Sequence, residues 1–258
     1  MIGAAFFVII VIYLARWYSQ KQKRLADFKM PVNTTQLLEE NVSFYTGLDN
    51  AGKLVFEERI KDFLQSVRIT GIGTTVTSLD QILIASGAII VIFGFKDWKY
   101  NNISEILFYK DAFSEDYDTK SNNRNILGMV GDGALKQQMI LSQASVHQSF
   151  SNAIDGHNTV IHEFAHLVDK ADGATDGIPE YLLARPYLLP WVKQMHQTIQ
   201  QMKHNESNDI NFYGTTNDAE FFAVVSEYFF ERPEALKNHH PELYGLLERM
   251  FHPAYPKT

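Results

Sequence analysis

Hydrophobic residues recur every three to four positions over much of this chain, and short apolar runs separate the periodic segments. Ile60, Leu64 and Val67 are spaced i, i+4, i+7, which predicts helical structure within residues 36–70. Further helices are predicted at 158–170, 190–203, 218–231 and 241–251, and strands at 104–109 and 137–145. This order predicts an α+β fold, with a small sheet beside the helix at 158–170 and a mostly helical carboxyl half.

The amino-terminal apolar run predicts a membrane anchor. Residues 2–15 carry no charge, and Arg16 follows them. As a helix this run spans about 22 Å, short of a hydrocarbon core of about 30 Å, but snorkelling of Arg16 extends the anchor to residues 2–18. A cleaved signal peptide is one alternative, but the basic residues expected before the apolar run and the cleavage site expected after it are not visible here. A buried core helix is the other alternative.

The predicted anchor also gives a domain division and a location. Its basic residues all lie on the carboxyl side, so the positive-inside rule places the rest of the chain in the cytoplasm. We therefore predict an anchor with its basic flank over residues 1–24 and one domain over 25–258.

A second long apolar stretch, residues 82–95, has two interpretations. It contains Gly87 and Gly94 and has charged residues nearby. These features favour a buried helix followed by a strand over a second transmembrane helix.

The amino-acid composition limits the possible metal ligands and partners of the chain. The chain of 258 residues has no cysteine, so disulfides and thiolate metal sites are excluded, and any metal must sit on His, Asp or Glu. The net charge is −7, although residues 1–24 hold four basic residues and no acidic residue. Such an acidic domain repels phosphate backbones, so no nucleic-acid partner is expected.

The strongest chemical signal is the sequence HEFAH at 162–166. On a helix, His162 and His166 lie one turn apart on the same face, so both imidazoles can bind a single ion. Glu163 is rotated by about 100° from His162, where it can accept a proton from water instead of binding the metal. The neighbouring residues are apolar, and a buried His-Glu-His set without a metal would leave polar groups in need of partners.

Catalytic zinc usually has three protein ligands, so a third must come from downstream. The main candidates are Asp169, Asp172, Asp176, His196, His204, Asp218, Glu220 and Glu227. Turn chemistry accounts for Asp172 and Asp176, and polar neighbours suggest that His196 and His204 face solvent.

Glu220 and Glu227 lie in the apolar segment EFFAVVSEYFF, where a buried carboxylate is costly without a cation. Glu220 also stands three residues after Asn217, as a capping-box glutamate would. Glu227 lies seven residues on, on nearly the same face, and is the second choice as ligand or a residue that orients one.

The motifs HEFAHLVD and YGTTNDAEFFAVVSEYFF resemble those of the Mlc titration factor A family of zinc-dependent peptidases. The resemblance includes MILS at 139–142 and DGHNTVIHEFAH at 155–166, covers about residues 80–235, and extends more distantly to the catalytic domain of anthrax lethal factor. It implies a zincin-like domain of the gluzincin type, in which one zinc ion is bound by His162, His166 and Glu220 and Glu163 is the general base and acid.

The same resemblance implies roles for two further residues. Tyr213 matches a tyrosine that faces the metal and can stabilise the oxyanion. Asp169 matches an aspartate that either orients a ligand histidine or compensates charge near the helix end. At Gln143 the sequence differs from the family, which has tryptophan after the ILS strand. The apolar anchor is a second difference, because the soluble members of the family have none.

Two functions are therefore expected. The first is hydrolysis of a peptide or protein substrate, with the extended substrate paired to an edge strand at 137–145. The alternative is a regulatory binding module that sequesters a cytoplasmic partner, such as a transcriptional regulator, with the zinc structural or vestigial.

Overall fold

The computed structural model describes residues 28–111, 128–130, 137–151, 156–204 and 209–252, together with Ile12 and Arg16. For residues 128–130 it describes the backbone alone. Within these residues the buried side chains form one continuous hydrophobic core.

Three helices begin the described chain: α1 (Thr34–Asn41), α2 (Ser43–Thr46) and α3 (Asn50–Ser66). The Asp49 side chain caps α3 by accepting a hydrogen bond from the Gly52 N–H. Ile60 and Leu64 are buried on this helix and Val67 just after it, so the spacing correctly predicted the buried face.

Helix α4 (Ser78–Ile92) accounts for the second apolar stretch. A capping box between Thr77 and Asp80 begins it, and almost all of its residues are buried between α3 and the later helices. The buried helix is confirmed, but the strand predicted directly after it is wrong. The chain turns at Gly94, where an added Cβ would lie 1.9 Å from the Phe251 carbonyl oxygen.

The part of the sheet formed by described residues has four strands: β1 (Arg68–Ile72), β2 (Glu105–Tyr109), β3 (Gly128–Val130) and β4 (Gln138–Ser142), in the order β1-β2-β4-β3. Strands β1, β2 and β4 are parallel, and β3 pairs antiparallel with β4. The strand predicted at 104–109 is therefore confirmed, and the fold is α+β.

The strand predicted at 137–145 is wrong in two respects. It ends at Ser142, and helix α5 (Gln143–Ser151) follows at once. The Ser142 hydroxyl accepts a hydrogen bond from the Ser145 N–H at 3.1 Å, as a capping residue does. Strand β4 also has neighbours on both sides, so it is no edge strand, and among the described residues β3 is the last strand on that side of the sheet.

Helix α6 (Thr159–Asp169) lies against β3 and between α4 and the carboxyl-terminal helices. A short 3-10 turn, Lys170–Asp172, continues it, and Gly173 ends the turn with φ of 105°. Helix α7 (Arg185–His204) covers the helix predicted at 190–203 and begins five residues before it; it contains Pro190 and buries Trp191, Met195 and Met202.

The remaining helices complete the carboxyl half. A 3-10 turn, Phe212–Thr215, leads into α8 (Asp218–Glu231), and α9 (Pro233–His239) and α10 (Pro241–Phe251) follow. Pro233 ends α8, as predicted, and also begins α9, a short helix that the periodicity did not show.

None of the helices in the described ranges is both long and apolar enough to cross a membrane. The predicted anchor at residues 2–18 lies outside the described residues, apart from Ile12 and Arg16. It stays a prediction, as does the division at residue 24.

Candidate metal centre

Helix α6 begins at a well-formed cap. The Asn158 side chain accepts a hydrogen bond from the Ile161 N–H at 3.0 Å, which satisfies a donor in the first turn. The helix buries Val160 and Phe164 in the core, so His162 and His166 project from its other side.

The structure brings His162, His166 and Glu220 together, with one possible ligand atom from each within 4.8 Å of the others. The two Nε2 atoms are 3.1 Å apart. Glu220 Oε2 lies 3.0 Å from the Nε2 atom of His162 and 3.5 Å from that of His166. These three atoms form a nearly equilateral triangle, although Glu220 lies on α8, far along the chain.

This triangle has the size and chemistry of a metal site. Ligand atoms about 2.0–2.1 Å from a tetrahedral zinc ion are about 3.3 Å from one another, close to the observed separations. Two imidazoles and one carboxylate form a known catalytic zinc set that leaves a fourth position open. The residues therefore fit a zinc ion.

Two other carboxylates stand close to this group. Glu163 is only 5% exposed. Burial raises its pKa, with smaller contributions from Glu220 and Glu227, while the two histidines lower it. Glu227 Oε1 accepts a hydrogen bond from His162 Nδ1 at 2.6 Å, and its Oε2 accepts one from the Asn158 backbone N–H at 2.7 Å. Glu227 thus joins His162 to the cap of its own helix.

The charges in the centre compensate one another. Burial lowers the pKa of His162, but hydrogen bonds to Glu220 and Glu227 outweigh burial and raise it to about 10. Burial raises the pKa of Glu220, but hydrogen bonds from His162 and His166 outweigh burial and hold it at about 2. Each group thus favours the charged form of the other, and binding of a metal would require His162 Nε2 to be free of its proton.

Tyr213 lies at the mouth of the site on the 3-10 turn. Its ring centroid is 6.1 Å from that of His162, and the residue is 53% exposed. Burial raises the pKa of the phenol, and the carboxylates of Glu220 and Glu163 raise it further. The phenol therefore remains protonated at neutral pH and can donate a hydrogen bond into the cleft.

Asp169 is fully buried, but its carboxylate reaches towards a turn. Its Oδ2 accepts a hydrogen bond from the Gly177 N–H at 2.9 Å. Asp169 Oδ1 and His166 Nδ1 are both buried without a hydrogen-bond partner among the described residues. The structure thus shows no direct hydrogen bond between Asp169 and either histidine.

The other candidate ligands lie outside the triangle. Asp172 and Asp176 accept backbone hydrogen bonds in the turns after α6, as their turn chemistry predicted. His196 and His204 are exposed, and His196 pairs with Asp218 at 2.9 Å.

The Asn217 side chain caps α8 by accepting a hydrogen bond from the Glu220 N–H, while the Glu220 carboxylate turns to the histidines. The Gln143 side chain donates a hydrogen bond to Asp80 and accepts one from Thr74, so it supports the capping box at the start of α4. Sequence reasoning missed the hydrogen bond from the Asn158 backbone to Glu227, for which the sequence carries no signal because any residue supplies a backbone N–H.

An HExxH helix beside a small sheet, with a carboxylate from a later helix next to both histidines, is the arrangement of a metallopeptidase-like protein. The model of one family, described as glucose-regulated metallo-peptidase M90, matches residues 15–252. The chain belongs to this family, whose description implies a metal cofactor.

Curated proteins with similar sequences include one uncharacterized protein and several proteins with a common name. An uncharacterized protein, slr2042, of Synechocystis sp. is 30% identical over 247 residues, which cover 91% of this chain and 89% of that protein. Proteins named Mlc titration factor A are also similar, which confirms the resemblance found in the sequence. That of Serratia proteamaculans is 29% identical, covering 58% of this chain and 60% of its own length; that of Yersinia enterocolitica is 30% identical, covering 54% and 55%.

Proposed function

We propose that this protein is a zinc-dependent peptidase that binds zinc through His162, His166 and Glu220. The single observation that carries the proposal is the triangle of ligand atoms with the buried Glu163 beside it. When bound, zinc would act as a Lewis acid, which lowers the pKa of a water molecule and polarises a carbonyl group.

The protein's own residues supply the remaining chemistry. Glu163, with its raised pKa, accepts a proton from the attacking water and returns it to the leaving amine. Tyr213 donates a hydrogen bond to the developing oxyanion, and loss of such a donor typically costs about 10² to 10³ in rate. Glu227 holds the His162 ring through Nδ1, which leaves Nε2 free to act as a ligand.

We also propose that an extended substrate pairs with the sheet at β3, and not at β4 as the sequence suggested. Strand β3 lies against α6 and has β4 as its one partner strand within the described ranges, whereas β4 is paired on both sides. A peptide added beside β3 has backbone hydrogen bonds available close to the metal centre.

A second candidate function is regulatory binding of a protein partner. The name of several relatives, Mlc titration factor A, describes titration of a partner called Mlc. This chain spans only about 60% of the length of such a relative. The presence of Glu163 favours the enzyme, because a binding module needs no general base.

For location, we propose a membrane anchor at residues 2–18 with the domain in the cytoplasm.

The test is mass-spectrometric profiling of a peptide library with the wild-type protein, Glu163→Gln and Glu242→Gln. Glu163→Gln should keep its zinc and lose turnover, whereas Glu242→Gln, an exposed glutamate on α10, should cleave like the wild type. Equal cleavage by Glu163→Gln contradicts the assignment of the base. No cleavage by any zinc-loaded protein rejects the peptidase and leaves the binding module.

A further inference from the structure

A carboxylate outside the metal centre, that of Asp209, has three side-chain partners from two later parts of the chain. Asp209 Oδ2 accepts hydrogen bonds from the Tyr228 hydroxyl and from His239 Nδ1, the latter at 2.6 Å, and its Oδ1 pairs with His240 Nε2 at 2.7 Å. We call these four residues the Asp209 clasp. It joins the segment before the 3-10 turn to α8 and to the junction of α9 and α10.

The Asp209 clasp is partly buried. Tyr228 is 3% exposed, the side chains of His240 and Asp209 are 19% and 30% exposed, and that of His239 is 57% exposed. Burial raises the pKa of Asp209, but the hydrogen bonds from Tyr228 and the histidines outweigh it and hold the pKa below its usual range. A carboxylate with three charge-assisted or hydroxyl donors is held more firmly than an exposed ion pair.

The chain that follows Asp209 is held tightly as far as Tyr213. Ile210 is 3% exposed, in the core. The Asn211 side chain accepts a hydrogen bond from the Tyr213 N–H at 3.0 Å, and the Asn211 carbonyl accepts one from the Gly214 N–H at 3.0 Å. An added Cβ at Gly214 would lie 3.4 Å from Phe221 Cα, so the turn packs closely on α8.

The ring of Tyr213, in contrast, is half exposed, and the Glu220 carboxylate is a hydrogen-bond partner of its hydroxyl. The backbone that carries Tyr213 sets how the phenol lies over His162, and the Asp209 clasp fixes one end of that backbone. Displacement of a catalytic group by about 1 Å can cost up to about a hundredfold in rate.

We infer that Asp209 is a positioning residue: through the Asp209 clasp it holds Tyr213 where the phenol can reach the oxyanion. The inference rests on the proposed function, because it assigns Asp209 a role in the same reaction. Asp209 itself touches neither substrate nor metal ligand. Its effect on rate must therefore pass through Tyr213.

A double-mutant cycle tests this dependence, using the full chain and a peptide that the wild type cleaves. We expect Asp209→Ala to lower kcat about tenfold, with KM and zinc content unchanged, because ground-state binding does not use the phenol. In a Tyr213→Phe background, Asp209→Ala should lower kcat by no more than about twofold. Asp62→Ala, which removes an exposed ion pair with Lys99, should leave kcat unchanged.

Hydrogen–deuterium exchange gives a readout that needs no activity. Asp209→Ala should speed exchange of the Tyr213 and Gly214 amides, both bonded to Asn211, relative to Asp62→Ala. An unchanged kcat, equal losses in both backgrounds or unchanged exchange would overturn the inference. An inactive wild type with faster exchange in Asp209→Ala would refute the proposed function but keep the Asp209 clasp as the support of Tyr213.

Discussion

Glu227→Gln is the sharpest test of how the metal centre is built. The two oxygens of Glu227 accept two buried N–H groups, His162 Nδ1–H at 2.6 Å and the Asn158 backbone N–H at 2.7 Å. Glutamine offers one oxygen and one NH₂ group, so it can accept only one of these bonds. Either choice has a measurable cost.

If the NH₂ group faces His162, the imidazole must accept at Nδ1 and carry its proton on Nε2, the atom that should bind zinc. If the NH₂ group faces Asn158, two buried donors meet, which costs about 1 to 3 kcal/mol of stability. Changes in such supporting hydrogen bonds lower metal affinity about 10- to 100-fold, or about 1.4 to 2.8 kcal/mol.

Competition with a chromophoric chelator measures the zinc dissociation constant at fixed pH. Glu231→Gln is the matched control, since Glu231 accepts a hydrogen bond from the Asn158 side chain at 3.0 Å, whereas the partner of His162 Nδ1 is Glu227. We expect the control to bind zinc within about twofold of the wild type. Wild-type affinity in Glu227→Gln would refute the argument that Glu227 orients the ligand.

Two further predictions concern stability. Gly87→Ala should lower the free energy of unfolding by about 1 to 3 kcal/mol in urea titrations, because the new Cβ would lie 2.4 Å from Val160 Cγ1 and force α4 and α6 apart. Asp169→Asn should change the pH dependence of stability in the zinc-free protein. Burial raises the pKa of the Asp169 carboxyl group to about 6, although the hydrogen bond from the Gly177 N–H lowers this pKa. Because this folded pKa exceeds the unfolded value, the ionised carboxylate destabilises the fold above about pH 6, and the penalty, about 3 kcal/mol at most, disappears as pH falls towards 4.

Each stability prediction has its own control. Gly245 lies within α10 with no atom near a built Cβ, so Gly245→Ala should not destabilise the protein. For Asp169, the difference in unfolding free energy between wild type and Asp169→Asn should shrink from pH 7 to pH 4. A constant difference would show that the aspartate does not change its charge in this window.

Local physics made several elements predictable. The repeat of 3.6 residues per turn is a property of the chain itself, so HEFAH placed His162 and His166 on one face without knowledge of the fold. The Asn158 cap and the buried apolar helix α4 follow in the same way from neighbouring residues. The end of β4 at Ser142 was missed, because residues 143–145 contain no proline or glycine to mark the change from strand to helix.

The sequence by itself thus determined the candidate ligands: two histidines one turn apart on one helix, with a glutamate beside them and no cysteine in the chain. Only the tertiary structure decided which carboxylate completes the triangle, because Glu220 meets His162 across 58 positions through the packing of α8 on α6. It also decided that Glu227 supports His162 and that the Asp209 clasp holds the turn bearing Tyr213. These contacts depend on where whole helices pack, and helix packing is set by the burial of many apolar side chains at once, which no local pattern encodes.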